Sequence, residues 1–490
     1  MNKINFTALI VLTFIISIAN AQFTDDFSDG VLSNEWTGDR DKFIIDSEVL
    51  RLNDNDAGSA YLARPSSVVS NTQWDFLVRI GFEPSDNNYP LIYLVADTDD
   101  LSGPVNGYYV RIGKTGTDNK KLFFYRQDGE SHEEILTGSN NIAASSNNVI
   151  NVKVIRDDAG NWEFYADPAG GDLFLPQGNI FDDTYTTTDY FGISCNYTVS
   201  NSDRFYFDDF RIGDIIPETE KPEVKYTVPV NSTTLDAHFT KVIDQASAEN
   251  LTNYLVNSGI GAPVMAQRLE DKPYVVRLMF SEEFIPETPY QISISNVQDV
   301  FGNVMNDFTG TFHLYFPERF DVVFNELMPN PEPPIDLPPS KFVEFYNTTD
   351  YQISVEGWSF KSGTDAIKEL PFGIIPPKGY IILVNDADLQ HFNDYENVIG
   401  ASLGVNFLTI SGRTIILYDA NGEIMHNVSY TDNWYHDSSK DDGGWSIEQI
   451  DPYNFCGGEY NWRASVDPRG GTPGELNSVD DENPNDTSPN

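Results

Sequence analysis

The sequence predicts an all-β protein built from several β-sandwiches. Short alternating or β-branched runs, such as residues 74–80 and 149–155, recur between clusters of Gly, Asn, Asp and Pro, the pattern of half-buried strands separated by turns. Hardly any segment has the apolar period of an amphipathic helix, and the one expected mid-chain helix is short, near residues 246–254. A length of 490 residues exceeds one core, so about three domains are expected.

Residues 1–21 have the features of a secretory signal peptide. Lys3 supplies the positive charge, residues 6–18 form an apolar run, and Ala19 to Ala21 form a small-residue cleavage site before Gln22. The run is shorter than the roughly 20 apolar residues of a membrane span. A lipid anchor is not indicated, because no Cys lies near the cleavage site. We therefore expect cleavage and export to the outer-membrane surface or the extracellular space, with the periplasm as the alternative, and no transmembrane segment.

The charge balance argues against nucleic acid as a partner. The chain has 75 acidic and 30 basic residues and a formal charge of −45. Nucleic-acid affinity comes largely from Lys and Arg side chains that neutralise phosphates. A strongly negative surface instead favours solubility and the binding of cations.

The cysteine content excludes a disulfide framework. Only Cys195 and Cys456 are present, and they lie in different predicted domains. Two buried free thiols are the simpler expectation, because Cys often behaves as a small hydrophobic residue. The alternative is one disulfide that joins two domains.

Residues 22–214 form the first predicted domain. An opening segment at residues 23–30, with Trp36, is matched by a closing segment at 205–212, and residues 106–113 and 190–198 lie between them. These segments resemble a concanavalin-like or laminin-G-like jelly roll, which implies a ligand-binding sandwich with a glycan as the first candidate ligand. Laminarinase-like relatives use carboxylates that alternate along one strand, and no such run occurs here.

A structural calcium ion is the predicted cofactor. In a jelly roll the first and last strands are neighbours, which would bring Asp25 and Asp26 close to Asp208 and Asp209. Ca²⁺ takes six to eight oxygen ligands, mostly from carboxylates and carbonyls. The alternative is that these Asp pairs are solvated turn residues.

Residues 217–317 form the second predicted domain, after the Pro-rich linker at 215–222. The segments 239–244, 290–294 and 299–303 resemble the bacterial Ig-like spacer repeat. The resemblance implies a domain that holds its neighbours apart and carries no chemistry.

Residues 320–477 form the third predicted domain. Its motifs include 320–328, 342–347, 376–384, 412–419, 443–448 and 461–465. They resemble the lamin-tail domain in its bacterial, exported form, which implies an Ig-like sandwich and kinship with large surface proteins that use type IX secretion. Residues 478–490 are almost free of apolar side chains, and we expect a disordered acidic linker or tail.

Two groups of residues in this third domain stand out. Trp434 and Tyr435 lie in an acidic loop and are the predicted ligand contacts, with packing against the sandwich as the alternative. Glu326 and Glu344 lie within strand runs. We expect them to point outward by strand alternation and to bond the Pro-rich loop at 329–339.

The remaining tryptophans fit sandwich cores better than ligand platforms. They are Trp36, Trp74, Trp162, Trp358, Trp445 and Trp462.

These observations predict a non-catalytic binding or scaffold protein of the bacterial cell surface. The sequence lacks the HExxH, GxSxG, P-loop and GxGxxG motifs, and its six histidines are scattered singly. We expect a glycan or a surface protein as the partner. Two alternatives stay open: an accessory region of a larger secreted hydrolase of the nuclease or phosphoesterase type, and a subunit docked on an outer-membrane complex.

Overall fold

The computed structural model describes residues 21–455 and 457–481. The predicted signal peptide up to residue 20, Cys456 and the tail from residue 482 lie outside the described residues. Strands account for most of the regular structure, which confirms the all-β prediction. Strand pairing stays within three consecutive segments of the chain, the first sandwich (21–214), the middle segment (224–313) and the C-terminal segment (322–481).

Two antiparallel sheets form the first sandwich. Its strands are β1 Ala21–Asp25, β2 Thr37–Gly38, β3 Phe43–Asp46, β4 Val49–Leu52, β5 Gly58–Pro65, β6 Thr72–Ile80, β7 Tyr89–Ala96, β8 Val105–Ile112, β9 Leu122–Gly129, β10 Ser131–Thr137, β11 Asn148–Arg156, β12 Asn161–Asp167, β13 Leu175–Phe181, β14 Tyr190–Tyr197 and β15 Phe205–Asp214. One sheet has the order β13-β12-β11-β6-β15-β4-β3, with β1 paired to β15, and the other has the order β10-β9-β8-β7-β14-β5-β2. The first and last strands of the segment are therefore neighbours, as predicted.

Large aromatic side chains fill the space between these two sheets. Trp36, Trp74 and Trp162 are fully buried, and the rings of Trp74 and Trp162 stack with centroids 5.5 Å apart. This confirms that these tryptophans are core residues. Cys195 is a buried free thiol, as expected, and burial raises its pKa well above the ordinary value.

The middle segment contains two small sheets and one short helix. Its elements are β16 Val224–Asn231, β17 Thr234–Phe239, α1 Gln245–Ala248, β18 Tyr254–Val256, β19 Met265–Arg268, β20 Val275–Met279, β21 Pro289–Ile294 and β22 Phe308–His313. The sheets have the orders β16-β17-β20-β19 and β18-β21-β22.

The predicted mid-chain helix is divided into two turns. Asp244 caps α1 by accepting a hydrogen bond from the Ser247 backbone. Asn250 then accepts from the Thr252 backbone and begins a separate 3-10 turn at Leu251–Asn253. Asn side chains compete with helical hydrogen bonds in this way, so the helix ends early.

The C-terminal segment is also a β-sandwich. Its strands are β23 Val322–Met328, β24 Phe342–Asn347, β25 Ile353–Ser354, β26 Ser359–Ser362, β27 Lys368–Glu369, β28 Ile374–Ile375, β29 Tyr380–Asn385, β30 Val398–Ala401, β31 Arg413–Tyr418, β32 Ile424–Tyr430, β33 Ile447–Gln449 and β34 Trp462–Ala464. The larger sheet has the order β30-β29-β24-β23-β33-β34, with β29 and β30 parallel. The sheet β27-β26-β31-β32 and the pair β25-β28 complete it. Trp358 and Trp462 are buried, and Trp445 packs against the same core.

The middle segment contacts both of its neighbours. The ring of Phe301 lies 4.9 Å from that of Tyr165 in the first sandwich. On the other side His238 stacks on Phe372 at 4.2 Å, and Lys272 forms an ion pair with Glu356. No helix among the described residues is long and apolar enough to cross a membrane.

Replacing Trp162 with Ala should strongly destabilise the first sandwich, because the ring is fully buried and stacked. We expect a loss of about 3–5 kcal/mol in the free energy of unfolding, measured by denaturant titration. Val199→Ala, at a side chain with 60% exposure, should change stability by less than about 0.5 kcal/mol. Equal effects of the two substitutions would contradict this packing.

Candidate functional site

A row of tyrosines crosses the outer face of the second sheet of the first sandwich. Tyr93 on β7 is directly opposite Tyr109 on β8, which is opposite Tyr125 on β9. Successive strand residues point to opposite faces, so these rings lie on the side of the sheet away from the main core. Tyr93 and Tyr109 are buried there in a second apolar cluster, and Tyr125 is half-buried. The ring centroids are 5.1 Å and 5.0 Å apart, and the second pair is stacked. The neighbouring positions that point into the core are Ile92, Val110 and Phe124.

The hydroxyl groups of this row form a polar layer. Tyr93 donates to Gln127 Oε1 at 3.0 Å, and Tyr125 donates to Glu134 Oε2 at 3.0 Å. Tyr109 Oη lies 3.0 Å from His132 Nδ1. Burial raises the pKa of all three tyrosines, so their hydroxyls stay protonated near neutral pH.

Half-buried side chains extend the face toward solvent. Tyr61 on β5 and Tyr190 on β14 pack against the same cluster as the row. We call the set Tyr61, Tyr93, Tyr109, Tyr125 and Tyr190 the tyrosine face.

The cations that border the tyrosine face are already paired. The guanidinium of Arg111 lies 3.9 Å from the centroid of the Tyr89 ring and forms an ion pair with Asp86 at 2.6 Å. Lys114 forms an ion pair with Glu134. These two cations therefore add little positive charge to the border, and the carboxylate of Asp100 lies beside Tyr61.

The tyrosine face is not evident from the sequence. Its residues lie in strand runs that were recognised, but their convergence depends on which strands pair and in which register. A single sequence does not give that register. The alternation of tyrosine with aliphatic residues in β7 and β8 was the available signal.

Of the predicted calcium ligands, Asp25 is already engaged. Its Oδ2 accepts hydrogen bonds from Trp36 Nε1 at 2.8 Å and from an Arg64 guanidinium nitrogen at 3.1 Å. The ion pair with Arg64 is mostly shielded from solvent. Asp25 therefore joins the first strand to the core and has little capacity left for a cation.

The other three predicted ligands lie close enough to repel one another. Asp26 is exposed and accepts bonds from the backbone and hydroxyl of Ser28. Asp208 is half-buried, and its pKa is raised to about 6, first by burial and also by the charges of Asp209, Asp26 and Asp25. Within residues 21–455 and 457–481, no group of three or more His, Cys, Asp or Glu side chains has the geometry to hold a metal ion. Calcium binding stays a prediction.

Trp434 and Tyr435 belong to the core of the C-terminal segment. Trp434 packs against Trp462 at 5.7 Å, and Tyr435 donates to the carbonyl of Trp445 at 3.2 Å. Their exposures are 7% and 2%, so neither ring presents a face to a ligand. Their positions agree with the alternative that both side chains pack against the sandwich.

Glu326 and Glu344 do point away from the core, but the loop that they were expected to bond does not cover them. Both side chains have 0% exposure. They accept hydrogen bonds from the backbones of Thr472 and Gly474, near the end of the described chain. The sequence gave no indication of this cover, since the two regions are far apart along the chain.

Comparison with known proteins supports the assignment of the C-terminal segment. Residues 317–432 match the family model described as Lamin Tail Domain. No match was found among curated proteins.

Two solved structures of low identity are similar to part of this chain. The carbohydrate recognition domain of Emp47p is 12% identical, with a TM-score of 0.34, and the match covers 41% of this chain and 100% of that one. The exoplasmic/lumenal domain of VIP36, in its Ca²⁺/Man3GlcNAc-bound form, is 13% identical, with a TM-score of 0.31, over 38% of this chain and 86% of that one.

Replacing Asp208 with Asn tests the acidic site and its cation. A carboxyl whose folded pKa is raised to about 6 stabilises the fold below its ordinary pKa of 3.8, and this contribution is lost as the pH rises through 6. In EDTA the Asn variant should therefore melt about 2–4 °C above the wild type at pH 7.5 and level with it at pH 3.5.

Calcium chloride should raise the melting temperature of the wild type at pH 7.5 and leave that of Asp208→Asn unchanged. Asp118→Asn, at an exposed turn, is the control. A wild-type melting temperature that is the same in EDTA and in calcium would rule out the calcium site.

Proposed function

We propose that this protein is an exported, non-catalytic glycan-binding protein of the bacterial surface and that the tyrosine face holds the glycan. The observation that carries the proposal is the group of half-buried Tyr61, Tyr125 and Tyr190, which packs against the buried rings of Tyr93 and Tyr109 in the cross-strand row. Aromatic rings with a polar tip offer an apolar surface and a hydrogen-bonding group together. A sugar presents the matching combination of C–H faces and hydroxyl groups.

The charge at the face favours a neutral glycan. Arg111 and Lys114 are neutralised by Asp86 and Glu134, so no free cation among these side chains attracts an acidic sugar. The formal charge of −45 on the whole chain repels anions at long range. Uncharged hydroxyl and imidazole groups remain to bind the ligand, namely those of the half-buried tyrosines and of His132.

The arrangement supports binding rather than hydrolysis. Glycoside hydrolysis generally requires two carboxyl groups that flank the scissile bond. Of the carboxylates that border the face, Asp86 and Glu134 are held in ion pairs, and Asp100 bonds Tyr61 and Ser102. This supports a binding role for the first sandwich.

The other segments complete the proposal. The signal peptide at residues 1–21 supports export, and a calcium ion near Asp208 would relieve the repulsion among the acidic side chains. The middle and C-terminal segments would space and anchor the binding domain. The alternatives are a surface protein or an outer-membrane complex as the true partner, and a larger secreted hydrolase that contains this chain. Under any of them, the test below would detect no glycan binding.

Tyr125→Ala tests the face on the full chain. Loss of one stacked ring should weaken the affinity for a neutral glycan, first identified on a glycan array, by several-fold to about tenfold. Isothermal titration would measure the change.

Tyr206→Ala is the matched control. Tyr206 is a half-buried tyrosine on the outer face of the other sheet, beneath Arg79. It should leave the affinity unchanged. No neutral glycan bound on the array, or equal losses in both variants, would refute the proposal.

A further inference from the structure

Three glutamates lie side by side on the outer face of the larger C-terminal sheet. Glu344 on β24 is directly opposite Glu326 on β23, and Glu326 is directly opposite Glu448 on β33. Each has 0% exposure. We call these three residues the glutamate row.

Residues 471–479, here called the strap, cover the row and donate hydrogen bonds to every member of it. The Thr472 backbone donates to Glu326 at 3.0 Å, and its hydroxyl donates to Glu448 at 3.0 Å. The Gly474 backbone donates to Glu344 at 2.5 Å.

The later part of the strap adds bonds to the same sheet. Ser478 and the Val479 backbone both donate to Glu448 Oε2. Asn477 bonds the backbones of Asn325 and Gln449. The strap is therefore held mainly by groups that accept hydrogen bonds from it.

The row has no counter-ion. Among the described residues, the ion pairs of the C-terminal segment do not include Glu326, Glu344 or Glu448. Three buried carboxylates without a cation would be strongly unfavourable, since burial penalises the charged form and like charges raise the penalty.

Two buried polar atoms beside the row have no hydrogen-bond partner among the described residues. They are Glu326 Oε2 and Ser446 Oγ. Both side chains border Gly471, where a Cβ atom would clash with each of them. Glu326 and Ser446 are close enough to interact, so the Ser446 hydroxyl can donate to the carboxylate, and a protonated Glu326 can donate to Ser446 Oγ instead.

The electrostatics agree with bound protons. Burial raises the pKa of Glu326 well above its ordinary value, and the charges of Glu344 and Glu448 raise it further. Burial raises the pKa of Glu344 to about 8. The other ionisable groups that interact with Glu326 or Glu344 are Glu475, Tyr380 and Tyr395. Tyr346, Tyr453, Arg469 and Asp480 lie next to these tyrosines.

We infer that the strap is a proton-dependent closure, held shut over the glutamate row while Glu326 and Glu344 carry protons and released when they lose them. Because the closed state binds protons more tightly than the open state, closure is favoured at low pH. The advantage is complete below the ordinary pKa of 4.5 and declines as the pH rises through 8.

Release of the strap would join two cavities into one groove. Pro473, Gly474 and Glu475 line a cavity of about 760 Å³ on one side. Leu476 and Asn477 line a cavity of about 290 Å³ on the other. Tyr380 borders both cavities, so opening would expose a continuous surface across the sheet.

Hydrogen exchange of the full chain tests this closure. We would measure the protection factors of the backbone amides of residues 472 and 474–479 at pH 6 and pH 9, each relative to the unfolded rate at that pH. Wild-type protection should fall at least about tenfold, since each pKa unit of coupling corresponds to a factor of ten. Amides of β31 and β32 in the same segment should keep their protection.

Glu326→Gln should reduce this fall by at least about tenfold. Its amide oxygen keeps the bond from Thr472, and its neutral NH₂ group replaces the unpartnered oxygen and can donate to Ser446. Glu423→Gln, at an exposed turn of the same segment, should behave like the wild type.

Glu344→Gln serves as a second variant if Glu326→Gln does not fold, and it should also reduce the fall. Strap protection that does not change between pH 6 and pH 9 would overturn the inference. So would an equal fall in the wild type and in the Gln variant that folds.

Discussion

Cross-strand register is the constraint on which the rest of this structure depends. Side chains alternate between the two faces of a strand, so a shift of one residue would move every side chain to the opposite face. Register in one sheet of the first sandwich places Trp74 and Trp162 in the core, and register in the other sheet places the three tyrosines of the row on its outer face. In the C-terminal sheet it aligns three glutamates. The core, the tyrosine face and the glutamate row beneath the strap therefore all depend on cross-strand register.

Much of the fold could be predicted from the sequence because it depends on local patterns. The strand runs, the tryptophan cores and the lamin-tail motifs are all contained in short windows. The site depended on pairings between distant strands, so the tyrosine face was missed. Trp434 and Tyr435 were proposed as contacts because they lie in an acidic loop, yet that loop folds back onto the sandwich. Burial of a loop aromatic is decided by tertiary packing, which a single sequence does not reveal.

The carboxylates of this acidic chain are stabilised in different ways according to how deeply they are buried. On the surface, Asp26 stays in water and bonds its own turn. At intermediate depth, Asp25 is neutralised by Arg64 beneath the first strand. In the interior, the glutamate row receives hydrogen bonds from a covering segment and no cation. Each solution follows from how much hydration the carboxylate has lost.

The pairing of β1 with β15 also constrains how the first sandwich folds. Asp25 is opposite Phe210, so the sheet that contains both strands is incomplete until nearly the whole segment has been synthesised. Such long-range contacts form late, because loop closure precedes their gain in stability. Until β15 has been synthesised, β1, β4 and β6 lack this strand as a partner. The pairing of the first strand with the last strand thus completes this sheet only at a late stage of folding.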